Sequence, residues 1–547
     1  MMRNTILAIL GAVCCMAAYA QDGLPSRSLT IEGAYNPTVT KTEKIMPLPQ
    51  KPVSERKAAQ VSYLTEPNPM QSLKRAPMGA FSESSDDVTT ARYQGLVRFG
   101  WGLRNVHDGL LDFNWRISDR DELKVYGLMD AWATKPDGKW KSRMMNGDLD
   151  VDYSHRFDQF ILGADASLGH SHFNYRPGTA LTPAMEDISK LMQNTGRESL
   201  GVWGAGEIDS IGWHASLGME WLSRNGLKLA GTKRDNSERL LRLEAGISMP
   251  VPAIGGIGGL EYRQKSAAYD WQGVYGCNYS DFTAVTITPY WKNSWGNLDA
   301  NLGLNLDFRN GAGCKFLMSP MVTASYSVNE SVRLTSGVTG GIIDNSMRTL
   351  AGLSPYWSEA KRIKDGYTLF DAWIGASYSQ GRWLTLSGKG GYRHTADELF
   401  QTVSDSLIVS SMLDQEALDV FYLRVDADMQ FADRAQIKMD MTINGYTGHY
   451  KPGNLAFKPV FDGSLFGKVN IMPGLDAMLT YRMMTFRKQA GERMPMINDL
   501  ALTVDYDFRP NLSFYLTGSR LAGGDWFYYA GYRSIKPSVM VGATYRF

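Results

Sequence analysis

Beyond its first twenty residues the chain contains no apolar run approaching the roughly 18 residues that a membrane-crossing helix needs. Its mean hydropathy is −0.26. A helical membrane protein is thereby excluded, and a bilayer crossing by this chain requires strands closed into a barrel, which also satisfies every backbone polar group in lipid. An excess of one charge is missing too: 57 Lys and Arg stand against 56 Asp and Glu, for a net charge of +1. That balance gives no electrostatic ground for a nucleic acid partner. No G-x-S-x-G or H-E-x-x-H occurs, and no nucleophile can be matched to a base by spacing, so the expectation is a protein that is not an enzyme. Glycines 255, 256, 258 and 259 around Ile257 do not open a helix after a strand; they read as a turn and strand kink rather than a phosphate cradle, and no cofactor is expected. Linkers are also lacking after about residue 90, which favours one large unit over several domains.

What is present begins with residues 1–20. Arg3 supplies a positive start, Thr5 through Ala17 a short apolar core, and Ala18-Tyr19-Ala20 a small-x-small cleavage site, the pattern of a secretory signal peptide. Val13 before Cys14, and Cys14 before Cys15, do not suit a lipoprotein signal. Residues 21–90 are polar and broken by proline, as in Lys44-Ile45-Met46-Pro47-Leu48-Pro49 and Glu66-Pro67-Asn68-Pro69. Such a segment favours extended conformations without a core, and a periplasmic location is expected for it.

From Ala91 to Phe547 the dominant period is two. Leu111, Phe113, Trp115 and Ile117 alternate with Asp112, Asn114, Arg116 and Ser118; Leu149, Val151 and Tyr153 alternate with Asp148, Asp150 and Asp152. The same pattern covers Leu298–Arg309, Leu423–Phe431 and Leu500–Phe508. One strand face then meets lipid and the other a polar lumen. The connections alternate as well. Tight turns such as Phe157-Asp158, Asp209-Ser210, Asn293-Ser294-Trp295, Gln380-Gly381 and Arg509-Pro510-Asn511 lie between longer links near 175–195, 346–366, 394–416 and 521–537. The sequence thus predicts an all-β, transmembrane antiparallel barrel of about 22 strands, with short periplasmic turns, long surface loops and both termini in the periplasm.

Several residues carry more specific expectations. Asp148, Asp150 and Asp152 on one strand, with Arg424, Asp426 and Asp428 on another, are expected to face the lumen; Lys438 is a neutralising neighbour, and the bland reading is a wet lumen that must be polar somewhere. Trp132, Trp221, Trp291 and Tyr545 near strand ends suit interfacial girdles. Cys277 and Cys314 fall in two outward loops one hairpin apart and are read either as a disulfide or as two unpaired thiols. His170-Ser171-His172 places two imidazoles on one strand face, too few ligands to define a metal site, and no metal is expected.

The final residues, Val541-Gly542-Ala543-Thr544-Tyr545-Arg546-Phe547, put an aromatic at the C-terminus in lipid-facing register. This ending, the preceding Asn511–Gly518 and Phe527–Tyr532 segments and the strand count resemble the barrels of TonB-dependent receptors. Tyr545 and Phe547 are similar to the signal that the barrel-insertion machinery reads in outer-membrane proteins. Leu29-Thr30-Ile31-Glu32, with Tyr35, Pro37, Val39, Lys44 and Pro47, resembles the start of receptor-like outer-membrane proteins of the Bacteroidota, and Thr38-Val39-Thr40 resembles the short box that binds TonB. The resemblance implies an outer-membrane protein that moves a small solute. It departs from the family in one respect: about 70 residues separate the signal peptide from the barrel, too few for the family's globular plug. Residues 21–90 are therefore expected either to occlude the lumen in part or, through a docking motif containing Glu32, Tyr35 and Pro37, to bind a periplasmic or outer-membrane protein while the barrel acts as a scaffold.

Overall fold

The computed structural model describes residues 94–547 apart from 135–141, 176–191, 226–234, 272–278, 311–314, 357, 360–361, 404–410, 432–433, 449, 451–453, 486–487, 490–491, 530–531 and 535. Residues 1–90, with Glu32, Tyr35 and Pro37, and both Cys277 and Cys314 lie outside the described residues.

Among the described residues, 22 antiparallel strands form a closed ring. Each long strand pairs with the next in sequence, from Gly95–Gly102 onward, and the last strand, Ser538–Arg546, pairs with the first. Closure leaves no edge exposed, which is the condition for a sheet to stand in lipid. At the seam Val97, Phe99 and Trp101 lie opposite Tyr545, Ala543 and Val541, so the apolar face continues across the joint. The Phe547 carbonyl also accepts hydrogen bonds from the backbone N–H groups of Gln94 and Gly95. A two-residue strand, Ser358–Glu359, adds to Ser411–Phe431 in parallel at one rim.

Register carries the alternation around the ring. Val151 pairs with Ala166, Ala166 with Leu200, Leu200 with Met219 and Met219 with Leu241, an outward row of apolar side chains. Ile374, 73% exposed, and Leu200, 58% exposed, are typical of this belt; such an apolar surface is stable against hydrocarbon and not against water. No helix among the described residues is long and apolar enough to cross a membrane.

The two rims differ. On one, Asp209 and Ser210 alone join Met192–Ile208 to Ile211–Arg224, both with positive φ. Gly255 and Gly256, at φ 70° and 81°, turn the chain between Asn236–Pro250 and Ile257–Asp270, a geometry that suits residues without a Cβ. The other rim carries the longer connections. Some expected boundaries move. Asn293–Trp295 closes the strand Phe282–Trp295, and the turn falls at Gly296 and Asn297. The link expected at 394–416 is largely strand, because Leu384–Val403 and Ser411–Phe431 run 20 and 21 residues, about twice the length that spans hydrocarbon. Their additional residues project past the membrane with mixed rather than alternating polarity.

Candidate functional site in the lumen

Side chains on the inner face line a wide lumen in which charges are paired along the walls. Arg197 meets Asp148 at 2.7 Å, and Arg482 grips Asp462 through Nη2 at 2.8 Å and Nε at 3.2 Å. Lys438 lies 3.5 Å from Asp428, and Gln436 donates to the same carboxylate. Arg424 donates to Thr442, and Asp426 accepts from Ser387 while standing opposite Asp440. Asp150 lies between Tyr126 and Ser167, and Asp152 between Lys124 and Asp165. Asp148, Asp150 and Asp152 share one face of their strand, and Arg424, Asp426 and Asp428 one face of theirs, each opposite to the exposed Leu149, Tyr153 and Leu423. They are not brought together: the strands Ser142–Arg156 and Ser411–Phe431 stand on opposing walls, so two separate polar patches result rather than one acidic site.

Other expectations change. Trp132 turns inward to pack against Val106, Tyr515 and Met540, so it is not part of a girdle. Trp291 does sit at the short-turn rim, donating to the Gly255 carbonyl beside Trp295. His172 shares a hydrogen bond with Asn194 at 2.7 Å, and among the described residues no group of His, Cys, Asp or Glu is placed to hold a metal ion. Tyr545 and Phe547 are exposed, at 49% and 43%.

The principal difference lies in residues 344–356. A surface loop is expected there, yet the chain leaves the strand Val332–Ile343 and folds inward as a strap against the wall strands from Ile257–Asp270 to Ser142–Arg156. Its one helical segment, Met347–Leu353, starts with Ser346 accepting from the Thr349 N–H, an N-cap that satisfies an otherwise unpaired donor. Met347, Leu350 and Leu353 form its buried stripe, packed with Leu222, Trp271, Tyr279, Ile363 and Leu413. Glu238, on the wall strand Asn236–Pro250, accepts from the backbone N–H groups of Met347 and Arg348 at 2.7 and 3.0 Å.

Charged side chains anchor both flanks of the strap. Asp344 accepts from Arg242 and from Lys265 at 2.6 Å each, and Lys265 also lies 2.7 Å from Asp365 on the return leg. Burial opposes ionisation of Asp344, but the charges and hydrogen bonds of Lys265 and Arg242 outweigh it and hold the carboxyl well below the usual carboxylate range. Arg348 extends along the same wall, donating to the Glu198 carbonyl at 2.8 Å and to the Ser167 hydroxyl at 3.2 Å. Burial is the main influence on its guanidinium and lowers its pKa, against the carboxylate of Glu220. The strap ends at Tyr356, fully buried, edge-on to Phe173 and stacked on Tyr532 from the connection before the last strand.

Sequence reasoning did not identify the strap. The available signal was Ser346 ahead of apolar residues at 347, 350 and 353, a short capped amphipathic helix. Its wall partners, Glu238, Arg242 and Lys265, gave no signal of their own, because each is one inward residue among many in a wet lumen.

No family model matches the sequence, and no curated protein does. Solved structures do share the fold. The siderophore receptor PirA from Acinetobacter baumannii aligns with a TM-score of 0.63 at 13% identity, over 83% of this chain and 80% of that one. A mutant of the ferric enterobactin receptor PfeA from Pseudomonas aeruginosa, in complex with enterobactin, gives 0.63 at 14% over 83% and 81%. The ferric-catecholate import receptor Fiu from E. coli K12 gives 0.60 at 11% over 83% and 82%. The chain thus has the 22-strand barrel of outer-membrane receptors.

Proposed function

We propose that the protein is an outer-membrane, receptor-like barrel that binds and passes a small solute through its lumen without chemical conversion. The observation that carries this reading is the lumen: a closed ring of 22 strands whose inner wall carries ion pairs such as Arg197–Asp148 and Arg482–Asp462. A ring of this size encloses space beyond what wall side chains fill, and known barrels of 22 strands are plugged transporters. The alignable proteins are described as receptors for a siderophore, ferric enterobactin and ferric catecholates, which makes an iron chelate the first solute to test.

In this reading residues 1–20 direct export and are removed after Ala20. The short-turn rim and both termini face the periplasm, and the long connections face outward. Residues 21–90 replace a globular plug, partly occluding the lumen, with Glu32, Tyr35 and Pro37 as contacts for a periplasmic or outer-membrane partner. Tyr545 and Phe547 engage the insertion machinery, and the affiliation is with the Bacteroidota. Planar-bilayer conductance of the full chain and of a variant lacking residues 21–90 tests the proposal. Conductance that rises on deletion supports an occluded transporter. Silence of both, with a second protein co-purifying from native membranes, favours the scaffold.

A further inference from the structure

We infer that residues 344–356 are an in-chain gate, a strap that closes the long-loop mouth of the lumen and must be released for a solute to enter. The inference deepens the passage reading and rests on it for its purpose.

The path of the strap carries the argument. It departs from Val332–Ile343 and touches, in turn, Asn236–Pro250 through Glu238, Ile211–Arg224 through the Trp221 carbonyl, Met192–Ile208 through the Glu198 carbonyl and Phe160–Asn174 through Ser167. Tyr356 then reaches Met144 on Ser142–Arg156. That last strand stands nine places around the 22-strand ring from the strap's origin, and the five strands from Asn236–Pro250 back to Ser142–Arg156 are paired neighbours, so the segment leaves its own wall and lies against a continuous arc of the ring. It also reaches deep. Ser167 lies midway along its strand, opposite Asp150 and Ser199.

The contacts are of two kinds, and the difference suggests how the strap moves. Along the near wall it is held by buried charge: Asp344 with Arg242 and Lys265, and the Glu238 carboxylate on two backbone amides. At its far end it is held by rings, Tyr356 on Tyr532 and against Phe173. Tyr532 belongs to a second outer connection, so the stack joins two loops across the mouth and separates without leaving a buried charge unpaired. Releasing the near wall would leave Glu238, 1% exposed, without the two strap amides it accepts from. The near end is therefore the hinge and the Tyr356–Tyr532 stack the latch.

The test uses the full chain with Cys277 and Cys314 replaced by serine and Asp152→Cys as a reporter, two residues nearer the short-turn rim than the Asp150–Ser167 pair that the strap reaches. Cells displaying it are treated with a membrane-impermeant maleimide. Labelling is expected to be slow with the strap intact and faster by about tenfold when the latch is removed by Tyr356→Ala with Tyr532→Ala, since the strap covers the constriction that controls access. Glu238→Gln with Asp344→Asn loosens the same strap from its other end and gives a second, independent variant; heat-dependent mobility on denaturing gels verifies that each barrel is folded. Rapid labelling with the strap intact overturns the gate, and so does slow labelling that neither loosened variant accelerates. Conductance of the same proteins is read separately: a reporter that becomes accessible in a barrel that stays silent keeps the gate and removes the transport reading.

Discussion

The ring of Tyr356 lies on the ring of Tyr532 with centroids 3.8 Å apart and planes 15° from parallel. Both residues are buried, although they belong to connections more than 150 positions apart in a protein whose loops were expected to face water. An aromatic stack adds about 0.5–1.5 kcal/mol beyond the area it buries. Loss of the whole ring by Tyr356→Ala is expected to weaken strap docking by about 3 kcal/mol, within the range for large-to-small changes at aromatic sites. Tyr356→Phe keeps the stack, gives up only the hydroxyl contact with Met144, and should lie closer to wild type than to the alanine variant. Limited trypsin digestion at Arg348 reports the difference: cleavage accelerates in the alanine variant, and equal protection in both variants would show that the stack does not hold the strap.

Acid should loosen the strap only at low pH. Asp344 titrates below an ordinary carboxyl because Lys265 and Arg242 face it, with Asp365 and Glu220 nearby. In the undocked strap it protonates near the usual value of about 3.9. A carboxyl whose pKa is lower when docked stabilises docking fully above the undocked value, and that contribution is lost as pH falls through the docked one. Labelling of a lumen cysteine by an acid-tolerant thiol reagent should therefore be flat from pH 7 to pH 5 and rise below about 4. Asp344→Asn should label faster throughout and lose most of that dependence. A rise centred near pH 6 would point to a histidine and away from Asp344.

Close approach at the seam gives a folding prediction. Tyr515 lies over Gly542 and Gly100, its hydroxyl donating to Asp108 at 2.9 Å and Arg98 stacked 3.6 Å from its ring. A Cβ on Gly542 would fall 2.2 Å from the tyrosine ring and 2.5 Å from the Phe99 carbonyl oxygen. Neither atom can yield without moving the joint between the first and last strands. Gly542→Ala is expected to lower the yield of folded barrel, scored as the heat-modifiable band, and Gly542→Ala with Tyr515→Ser to recover part of it. Normal assembly of the single variant would show that the seam relaxes.

These positions also mark how far the sequence could be read. The ring and its closure follow from a period of two, which depends only on strand geometry and on lipid outside. Strand ends were less legible where Leu384–Val403 and Ser411–Phe431 outrun the membrane, since the force that imposes alternation stops at the interface. Trp132 was misassigned because an aromatic near a strand end suits a girdle or an inner cluster equally; parity with Asp130 and Leu128 would have turned it inward. The strap was least legible. Its seven-residue helix is too short to announce itself, and the strap's partners are separated by up to 212 positions, as for Tyr356 and Met144.

The last prediction tests the premise beneath the others, that one face of each strand meets lipid. On Ile211–Arg224, Leu217 points outward, 40% exposed, between Val202 and Leu243, whereas the adjacent Ser216 points inward between Trp203 and Glu244. Arginine at an outward midplane position costs a barrel about 2–4 kcal/mol, while a lumen position is wet and tolerant. Leu217→Arg should lower the unfolding midpoint in a lipid-reconstituted denaturant titration by that amount, and Ser216→Arg, beside the Glu244 carboxylate, should leave it within about 0.5 kcal/mol of wild type. A surface facing water on both sides would absorb both substitutions alike. Equal small effects would therefore remove the membrane from the account, and with it the lumen through which a solute is proposed to pass.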